Sequence, residues 1–167
     1  MANDDLVVDI VNIKDEVIRT ATLREAREKR LIYRIVQILI FDKSGRLYLQ
    51  KRSNNVRYPG YIMASAGGHV DAGETYEIAA RRELAEEIGV IDIPIELVKV
   101  SIFKHDEHTR LVATFRGETD DVCNLNHKEV ESGRFYIINE VIELLNGKEN
   151  ISPILLQTLT PDIIKKK

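Results

Sequence analysis

The sequence contains little that could cross-link the chain or anchor it in a membrane. Cys123 is the only cysteine among 167 residues, so no internal disulfide can form, and we interpret this thiol as inert packing. No uninterrupted apolar run approaches the roughly 18 residues of a membrane-spanning helix. Acidic residues stand near the start, where a signal peptide would carry positive charge. We therefore expect a cytoplasmic protein that does not bind membranes.

An excess of positive charge is also missing. The formal net charge is −3, which argues against general nucleic-acid binding because a phosphate backbone requires a basic surface. Hydrophobic residues make up 44% of the chain and charged residues 31%, as in globular proteins that bury a core. The length suits one domain, so residues 1–167 are predicted to form a single unit.

The first 30 residues are predicted to form an extension of this domain. Two short β-prone runs, residues 6–12 and 17–22, are joined by a polar turn and predict a hairpin. A short charged helix is expected at residues 23–30. The exposed edge of the hairpin makes a homodimer through this surface possible.

The remainder of the chain predicts an α+β fold. A second hairpin is expected from residues 32–41 and 46–52, and a strand at residues 61–66 runs into Gly67 and Gly68, which are expected to open a loop. Further strands are predicted at residues 95–104, 109–115 and 133–138, and helices at residues 75–88, 140–146 and 154–166, the last interrupted by Pro161. Because strands and helices do not alternate strictly, the expected architecture is a layered α/β/α sandwich on a mixed β-sheet.

The most informative segment is residues 68–90, in which three carboxylates crowd one helix. At about 100° per residue, Glu83, Glu86 and Glu87 fall within roughly a 100° arc. Like charges at this spacing destabilise a helix by about 0.2–0.5 kcal/mol per pair. Hard oxygen ligands of this kind are preferred by Mg²⁺ and Mn²⁺, which often accompany phosphates. A solvated helix face is the alternative interpretation of the same residues.

The same helix shows apolar residues at helical spacing. Ile78, Leu84, Ala85 and Ile88 are predicted to form its buried stripe, with Gly89 ending the helix. The carboxylates would then face elsewhere.

Residues 68–90 resemble the signature of the Nudix hydrolases, G-x5-E-x7-R-E-U-x-E-E-x-G-U, in which U is aliphatic. Every defined position is filled, by Gly68, Glu74, Arg82, Glu83, Leu84, Glu86, Glu87, Gly89 and Val90. So many restricted positions at set spacing are hard to obtain by chance. The order of strands and helices outside the signature also resembles the α/β/α sandwich of that family.

The resemblance implies roles for the signature residues. Glu83, Glu86 and Glu87 would bind Mg²⁺, with Mn²⁺ possible, and Glu86 or Glu87 would also accept a proton from the attacking water. Arg82 would pair with Glu74 and hold the loop against the helix. Gly68 and Gly89 would be structural. The implied reaction is metal-dependent hydrolysis of a phosphoanhydride bond in a nucleoside diphosphate derivative or another organic diphosphate.

Two residues outside the signature are further candidates. Glu129 follows the predicted sheet, where many relatives place an additional carboxylate that binds metal or acts as a base; an ordinary exposed glutamate is the alternative. Arg52 ends a strand that leads toward the site and could bind a substrate phosphate. The alternative is an exposed strand end.

A closer resemblance, to isopentenyl-diphosphate isomerase and the Nudix hydrolases that share its layout, makes isomerase activity an alternative to hydrolysis. Residues 47–53, 58–60 and 65–69 are similar to that enzyme. The isomerase, however, requires a cysteine where this chain has Gly67, and one of its metal-binding histidines where this chain has Tyr33 ahead of Arg34. His69 matches a metal-binding histidine of the isomerase, but without partners it is interpreted as a hydrogen-bonding loop residue. A third possibility is a non-catalytic nucleotide-binding sensor, although such proteins usually lose metal-binding carboxylates.

Overall fold

The computed structural model of the protein describes residues 4–121, 124–147 and 150–165. Cys123, interpreted above as inert packing, lies outside these ranges. Within them the strands are β1 (Val7–Val11), β2 (Val17–Thr22), β3 (Tyr33–Phe41), β4 (Leu47–Arg52), β5 (Ile62–Met63), β6 (Ala66–His69), β7 (Ile95–His105), β8 (His108–Glu118) and β9 (Val130–Tyr136). The helices are α1 (Leu23–Glu28), α2 (Tyr76–Ile88), α3 (Ile138–Gly147), α4 (Pro153–Thr158) and α5 (Pro161–Lys165).

Strand β3 is the centre of the fold. It pairs in parallel with β8 from Tyr33 to Phe41 and antiparallel with β6 from Ile35 to Ile38. Nearly all of its residues are buried, as expected for a strand covered on both faces. Val36, Ile38 and Ile40 pack toward α2, and Leu39 and Phe41 pack toward α3, α4 and α5. The predicted α/β/α sandwich around a mixed sheet is therefore confirmed.

The second predicted hairpin is only partly correct. Strands β3 and β4 pair at one position, Phe41 with Leu47, and then separate. Strand β4 instead pairs with β9 and β5, while β6 occupies the neighbouring edge of β3. Ser65 fills the gap, because its hydroxyl accepts a hydrogen bond from Ile40 N (2.7 Å) and donates one to the Tyr48 carbonyl (2.6 Å). The sheet can therefore curl here without leaving these backbone groups unpaired.

The N-terminal extension has the predicted form, a hairpin followed by a short helix. Strands β1 and β2 pair in antiparallel fashion, and α1 follows directly, with the Thr22 side chain accepting a hydrogen bond from Glu25 N (3.2 Å). Strand β1 joins the main sheet through Ile10 and Tyr33. Strand β2 lies at the edge of the sheet, and the homodimer through this surface stays a prediction.

The glycines before α2 are placed differently from the prediction. Gly67 and Gly68 belong to β6 and pair with Gln37 and Val36, so the loop begins only after His69. A glycine pair was expected to break the strand, but the ladder with β3 keeps it extended. Within the described ranges, no helix is long and apolar enough to cross a membrane.

Candidate active site

Helix α2 buries two of its three signature glutamates. Glu83 is 8% exposed and Glu87 is 2% exposed, whereas the Glu86 side chain is 56% exposed. Ile78, predicted to be buried, is 55% exposed, and Ala85 is also exposed.

The predicted stripe on α2 was correct for Leu84 and Ile88 and wrong for Ile78 and Ala85. The apolar residues that reach the core are Ala79, Ala80, Leu84 and Ile88. Glu83 and Glu87 share this inward face, because Glu83 lies about one helical turn after Ala79 and Glu87 about one turn after Glu83. The expectation that the carboxylates face away from the core was wrong for these two residues.

Glu87 is held by two donors from neighbouring strands. Its Oε2 accepts hydrogen bonds from Gln50 Nε2 (2.7 Å) and from Gly67 N (3.1 Å). Burial nevertheless raises the pKa of the Glu87 carboxyl to about 8, and the charge of Glu83 adds to this rise. Gln50 was not singled out from the sequence. The available signal was a polar residue directly after the apolar run Leu47-Tyr48-Leu49. In the structure Gln50 is 2% exposed.

Arg82 lies between the other two carboxylates. Its Nη1 donates to Glu83 Oε1 (2.8 Å) and lies 3.5 Å from Glu86 Oε2. Burial still raises the pKa of Glu83 to about 7, because Arg82 offsets only part of the desolvation and Glu86 and Glu129 add repulsion. The helix therefore carries more buried negative charge than its arginine can compensate.

The same arginine ties the loop before α2 to the helix. Arg82 donates to Glu74 through Nε (3.0 Å) and through Nη2 (2.9 Å), a two-pronged contact. Its Nη2 also donates to the His69 carbonyl (2.9 Å), and Glu74 in turn accepts from Asp71 N (3.0 Å). The pairing implied by the family resemblance is thus present in the structure.

Two signature glycines sit where side chains would collide. A Cβ on Gly68 would overlap the Glu83 carboxylate, so the missing side chain lets Glu83 approach β6. Gly89 ends α2 with φ +68°, a left-handed conformation that favours glycine, and its N donates to the Ala85 carbonyl (3.2 Å). A Cβ on Gly89 would also lie 2.7 Å from the Asn124 Cβ.

A cavity of about 850 Å³ opens beside these carboxylates. All three signature glutamates line it, together with Glu129 and Arg52. The Asn126 side-chain amide donates to Glu129 (3.3 Å), which comes close enough to Glu83 to raise its pKa. The structure therefore brings Glu129 to the same wall, although the sequence separates it from the signature.

Arg52 faces this cavity without a partner of its own. Its buried Nε lacks a hydrogen bond, and its side chain makes no ion pair in the part of the chain that the structure describes. Its charge nevertheless acts on Glu87 and opposes a small part of the rise that burial causes in the pKa of that carboxyl. Lys51 instead pairs with Glu131 (2.8 Å) and does not line the cavity.

His69 lies in a strongly cationic part of the same cavity. Its ring centroid is 5.8 Å from that of Tyr33. Burial lowers the pKa of the imidazole to about 3, and the positive charges of Arg27, Arg110 and Arg52 contribute to the shift. A neutral, enclosed His69 suits packing against an aromatic ring.

The N-terminal extension supports the loop between β6 and α2. Asp9 Oδ2 accepts a hydrogen bond from Gly73 N (3.1 Å), and the Val7 carbonyl accepts one from Ala72 N (2.9 Å). A bridge between Val8 and Asp71 continues the contact. These supporting residues were not identified from the sequence, because they lie more than 60 positions before the loop.

The carboxylates are suited to a hard divalent cation. Among residues 4–121, 124–147 and 150–165, no three His, Cys, Asp or Glu side chains already converge as a metal site. The donor chemistry still fits, since burial raises the pKa of both Glu83 and Glu87 and a nearby cation would relieve their repulsion. Buried Gln50 Oε1 has no hydrogen-bond partner in the described part of the chain and adds an available oxygen beside them.

Comparisons with known proteins identify relatives over most of the chain. The NUDIX domain model matches residues 32–157. A Nudix hydrolase of Pseudomonas aeruginosa, named as uncharacterized, is 33% identical over 135 residues, which cover 80% of each chain. Isopentenyl-diphosphate Delta-isomerase 2 of Photorhabdus laumondii is 28% identical over 153 residues, covering 88% of this chain and 86% of that enzyme.

Solved structures share the fold at lower identity. DR0079 from Deinococcus radiodurans superposes with a TM-score of 0.80 at 22% identity, covering 96% of this chain and 99% of that one. The NUDIX domain of Shewanella oneidensis NrtR, solved with ADP-ribose, has a TM-score of 0.55 at 18% identity and covers 66% of this chain and 75% of that one. Because the match to DR0079 covers 96% of this chain, the shared fold includes most of the N-terminal extension.

Proposed function

We propose that this chain, which belongs to the NUDIX domain family, is a Mg²⁺-dependent pyrophosphohydrolase of nucleoside diphosphate derivatives or other organic diphosphates. The family is that of the Nudix hydrolases, enzymes that hydrolyse nucleoside diphosphate derivatives. The observation that carries the finer proposal is the pair of buried carboxylates, Glu83 and Glu87, on the wall of a cavity large enough for such a ligand.

The metal would be held by Glu83, Glu86 and Glu87, with Glu129 as an additional ligand or base. When bound, a divalent cation neutralises charge that develops on the phosphate oxygens and lowers the pKa of a water molecule. Mg²⁺ suits a site of carboxylate oxygens, and Mn²⁺ can replace it. Burial raises the pKa values of Glu83 and Glu87, which supports this assignment because a bound cation would stabilise the carboxylate charges that burial disfavours.

The protein residues would orient the substrate and remove one proton. A water oxygen attacks one phosphorus atom, the bridging P–O bond breaks, and two phosphate products leave. Glu86 or Glu87 accepts the proton that the water loses. Arg52 would bind a phosphate oxygen, which is supported by its position on the cavity wall and by its unpartnered Nε.

The isomerase alternative has the support of one relative, the isopentenyl-diphosphate isomerase of Photorhabdus laumondii. The backbone around Gly67 argues against the same chemistry here. A Cβ on Gly67 would lie 2.7 Å from the Val36 carbonyl oxygen, a backbone atom within the β3–β6 ladder. A cysteine at this position would require the strand to move.

The sensor alternative has no comparable observation in its favour. A protein that only binds nucleotides does not need three glutamates on one helix, two of them buried at an electrostatic cost. The hydrolase proposal accounts for that cost through metal binding.

The test is a Mg²⁺-supplemented screen over nucleotide sugars, dinucleoside polyphosphates, oxidised nucleotides, NADH, coenzyme A and prenyl diphosphates. We expect hydrolysis of at least one compound, and a loss of at least about tenfold in rate for Glu86→Gln. Glu77→Gln is the matched control, because Glu77 lies on the same helix, pairs with Arg81 (2.9 Å) and does not line the cavity.

Product analysis separates the alternatives. Hydrolysis releases phosphate or a monophosphate, whereas isomerisation releases neither. Turnover by Glu86→Gln equal to that of the parent would remove Glu86 from the mechanism, and binding without turnover of any compound would favour the sensor.

A further inference from the structure

A second part of the cavity, separate from the glutamates, is lined by two arginines to which no role has been assigned above. Arg27 comes from α1 and Arg110 from β8. Both charges act on the His69 imidazole, and the His69 carbonyl accepts a hydrogen bond from Arg82, so His69 connects the basic part of the cavity, lined by Arg27 and Arg110, to the carboxylate part, lined by Glu83, Glu86 and Glu87. We call Arg27 and Arg110 the distal arginines.

Tyr33 holds the Arg110 side chain in place without neutralising its positive charge. Its Nε donates to the Tyr33 hydroxyl (2.8 Å), and its guanidinium lies 5.4 Å from the centroid of the Tyr33 ring. Tyr33 is 1% exposed and therefore a rigid support. In the described ranges Arg110 makes no ion pair with a carboxylate, and its two terminal nitrogens have no hydrogen-bond partner in the protein.

Arg27 is anchored at one end only. Its Nη1 donates to Asp4 (2.6 Å), whose side chain is 46% exposed. Its Nε is buried and has no hydrogen-bond partner among the residues that the structure describes. An unsatisfied buried donor costs about 1–3 kcal/mol, so an acceptor supplied by a ligand would be favourable here.

The sheet register gives the distance along β3 between the backbone positions that support the two parts of the cavity. Glu87 binds Gly67 N, and Gly67 pairs with Gln37 on β3. Arg110 pairs with Tyr33 on the same strand. Four residues of strand at about 3.3 Å each place these points about 13 Å apart, on the order of the length of a nucleoside.

The wall near the distal arginines is apolar and comes in part from the N-terminal extension. Leu6 and Leu23 belong to that extension, and Ile35 and Phe103 belong to the sheet. Such a surface accepts an uncharged portion of a ligand between two charged ends. Leu6, Leu23 and Arg27 all precede residue 32, where the NUDIX domain match begins, so this part of the cavity is built by residues outside the matched domain.

We propose that Arg27 and Arg110 form a subsite for a second phosphate, a monoester group carried by the substrate at a distance from its diphosphate. Guanidinium groups bind phosphate through paired hydrogen bonds, and two of them lining one cavity suit a dianion better than a neutral group. This adds a substrate class to the proposed function, namely organic diphosphates that also carry a phosphate monoester. It rests on the proposed function only for the site that holds the diphosphate.

The test measures binding by the full chain of compound pairs that differ by one phosphate monoester. The pairs are ADP-ribose with ADP-ribose 2′-phosphate, NADH with NADPH, and dephospho-coenzyme A with coenzyme A. Calorimetry in EDTA prevents turnover. We expect at least one phosphorylated member to bind about tenfold more tightly than its partner, the scale of one added charge-assisted contact.

Substitution of the distal arginines should abolish this difference. Arg110→Gln and Arg27→Gln are each expected to lower the affinity of the phosphorylated member to that of its partner, and to leave the affinity of the unphosphorylated member unchanged. Arg24→Gln is the matched control, because Arg24 lies on α1, is 60% exposed and does not line the cavity. Thermal melting of each variant checks that the fold is retained.

The inference is overturned if the members of every pair bind equally, if no phosphorylated member binds, or if the arginine variants weaken both members alike. Failure of the proposed function gives a different result. In that case the phosphate-dependent difference in binding is present, but adding Mg²⁺ produces no cleavage of the compound that binds.

Discussion

The two parts of the cavity carry opposite charge and come from the chain in different ways. The carboxylate part is mostly one continuous segment, because Glu83, Glu86 and Glu87 lie within two turns of α2. The basic part collects Arg27 from α1 and Arg110 from β8, two elements far apart in sequence. A helical motif is visible in sequence, whereas a site shared by distant elements appears only after folding.

The two parts also differ in how the protein supports their charge. Glu87 is fully enclosed and accepts two hydrogen bonds from the protein, yet its pKa remains raised. Arg110 lies over the Tyr33 ring, and within the described ranges its terminal nitrogens have no hydrogen-bond partner. We expect the carboxylate part to govern the rate of the reaction and the fold's dependence on pH, and the basic part to govern affinity.

The largest expected effect is that of Glu87→Gln. The variant should lose about a hundredfold or more in the Mg²⁺-dependent rate, because a metal ligand or proton acceptor is removed. It should also melt at a higher temperature than the parent at pH 8 without metal, because the buried charge is gone. Rate assays and calorimetric melts measure the two changes, and a variant that is both active and less stable would contradict the assignment.

The second effect concerns pH and metal. Glu83 and Glu87 have folded-state pKa values of about 7 and about 8, above their ordinary value of 4.5. The folded protein therefore holds protons more tightly than the unfolded chain, so the free energy of unfolding falls as pH rises from about 4.5 to about 8. We expect the metal-free protein to melt several degrees lower at pH 8 than at pH 5.

Adding Mg²⁺ at pH 8 should recover most of this loss, since a cation that binds only the folded state stabilises it. The Glu83→Gln/Glu87→Gln double variant should show a flatter pH profile and little response to Mg²⁺. Parallel profiles for parent and double variant would show that other groups cause the pH dependence.

A smaller effect is expected for Arg52, which lines the cavity and whose charge acts on both Glu87 and His69. Arg52→Gln should raise KM about tenfold with a smaller change in kcat, because Arg52 is expected to bind a phosphate that is present before and during the reaction. Lys51→Gln is the control, since Lys51 pairs with Glu131 outside the cavity. A large loss of kcat with unchanged KM would move Arg52 into the chemical step and weaken the contrast between the two parts.

The smallest effect is expected at the support from the N-terminal extension. Asp9→Asn weakens the hydrogen bond that Gly73 N donates to Asp9, and should lower kcat/KM by about twofold to fivefold, the loss of a fraction of one hydrogen bond. Asp5→Asn, at an exposed position of the same extension, should have no effect. Equal values for both variants would show that the extension does not position the loop.

The sequence predicted best those features that depend on contacts between residues close together in the chain. Thr75 caps α2 and Gly89 ends it, through contacts within four residues, and the sequence predicted both boundaries closely. Ile78 was misassigned because its spacing fits a helical stripe, yet it is 55% exposed. Hydrophobic spacing defines a set of candidate faces, and only the packing of β3 and β6 against α2 selects one of them.

The strands likewise show that local residues do not decide which elements pair. The turn after β3 was recognised from local residues, but the separation of β3 from β4 depends on β6 and β9 pairing at their edges. Likewise, Gly67 and Gly68 were expected in a loop and lie in a strand because β3 supplies their partners. Such long-range pairing leaves little trace in a single segment.

The amino-acid order alone determined the family, the α/β/α architecture and the glutamate cluster, because these depend on spacing along one helix and on alternation along each strand. Tertiary structure decided which glutamates are buried, brought Gln50 and Glu129 beside them, and placed Arg27 and Arg110 on the wall of one cavity. The physical reason is that burial and electrostatic environment are properties of neighbours in space, and those neighbours are set by sheet register rather than by position in the chain.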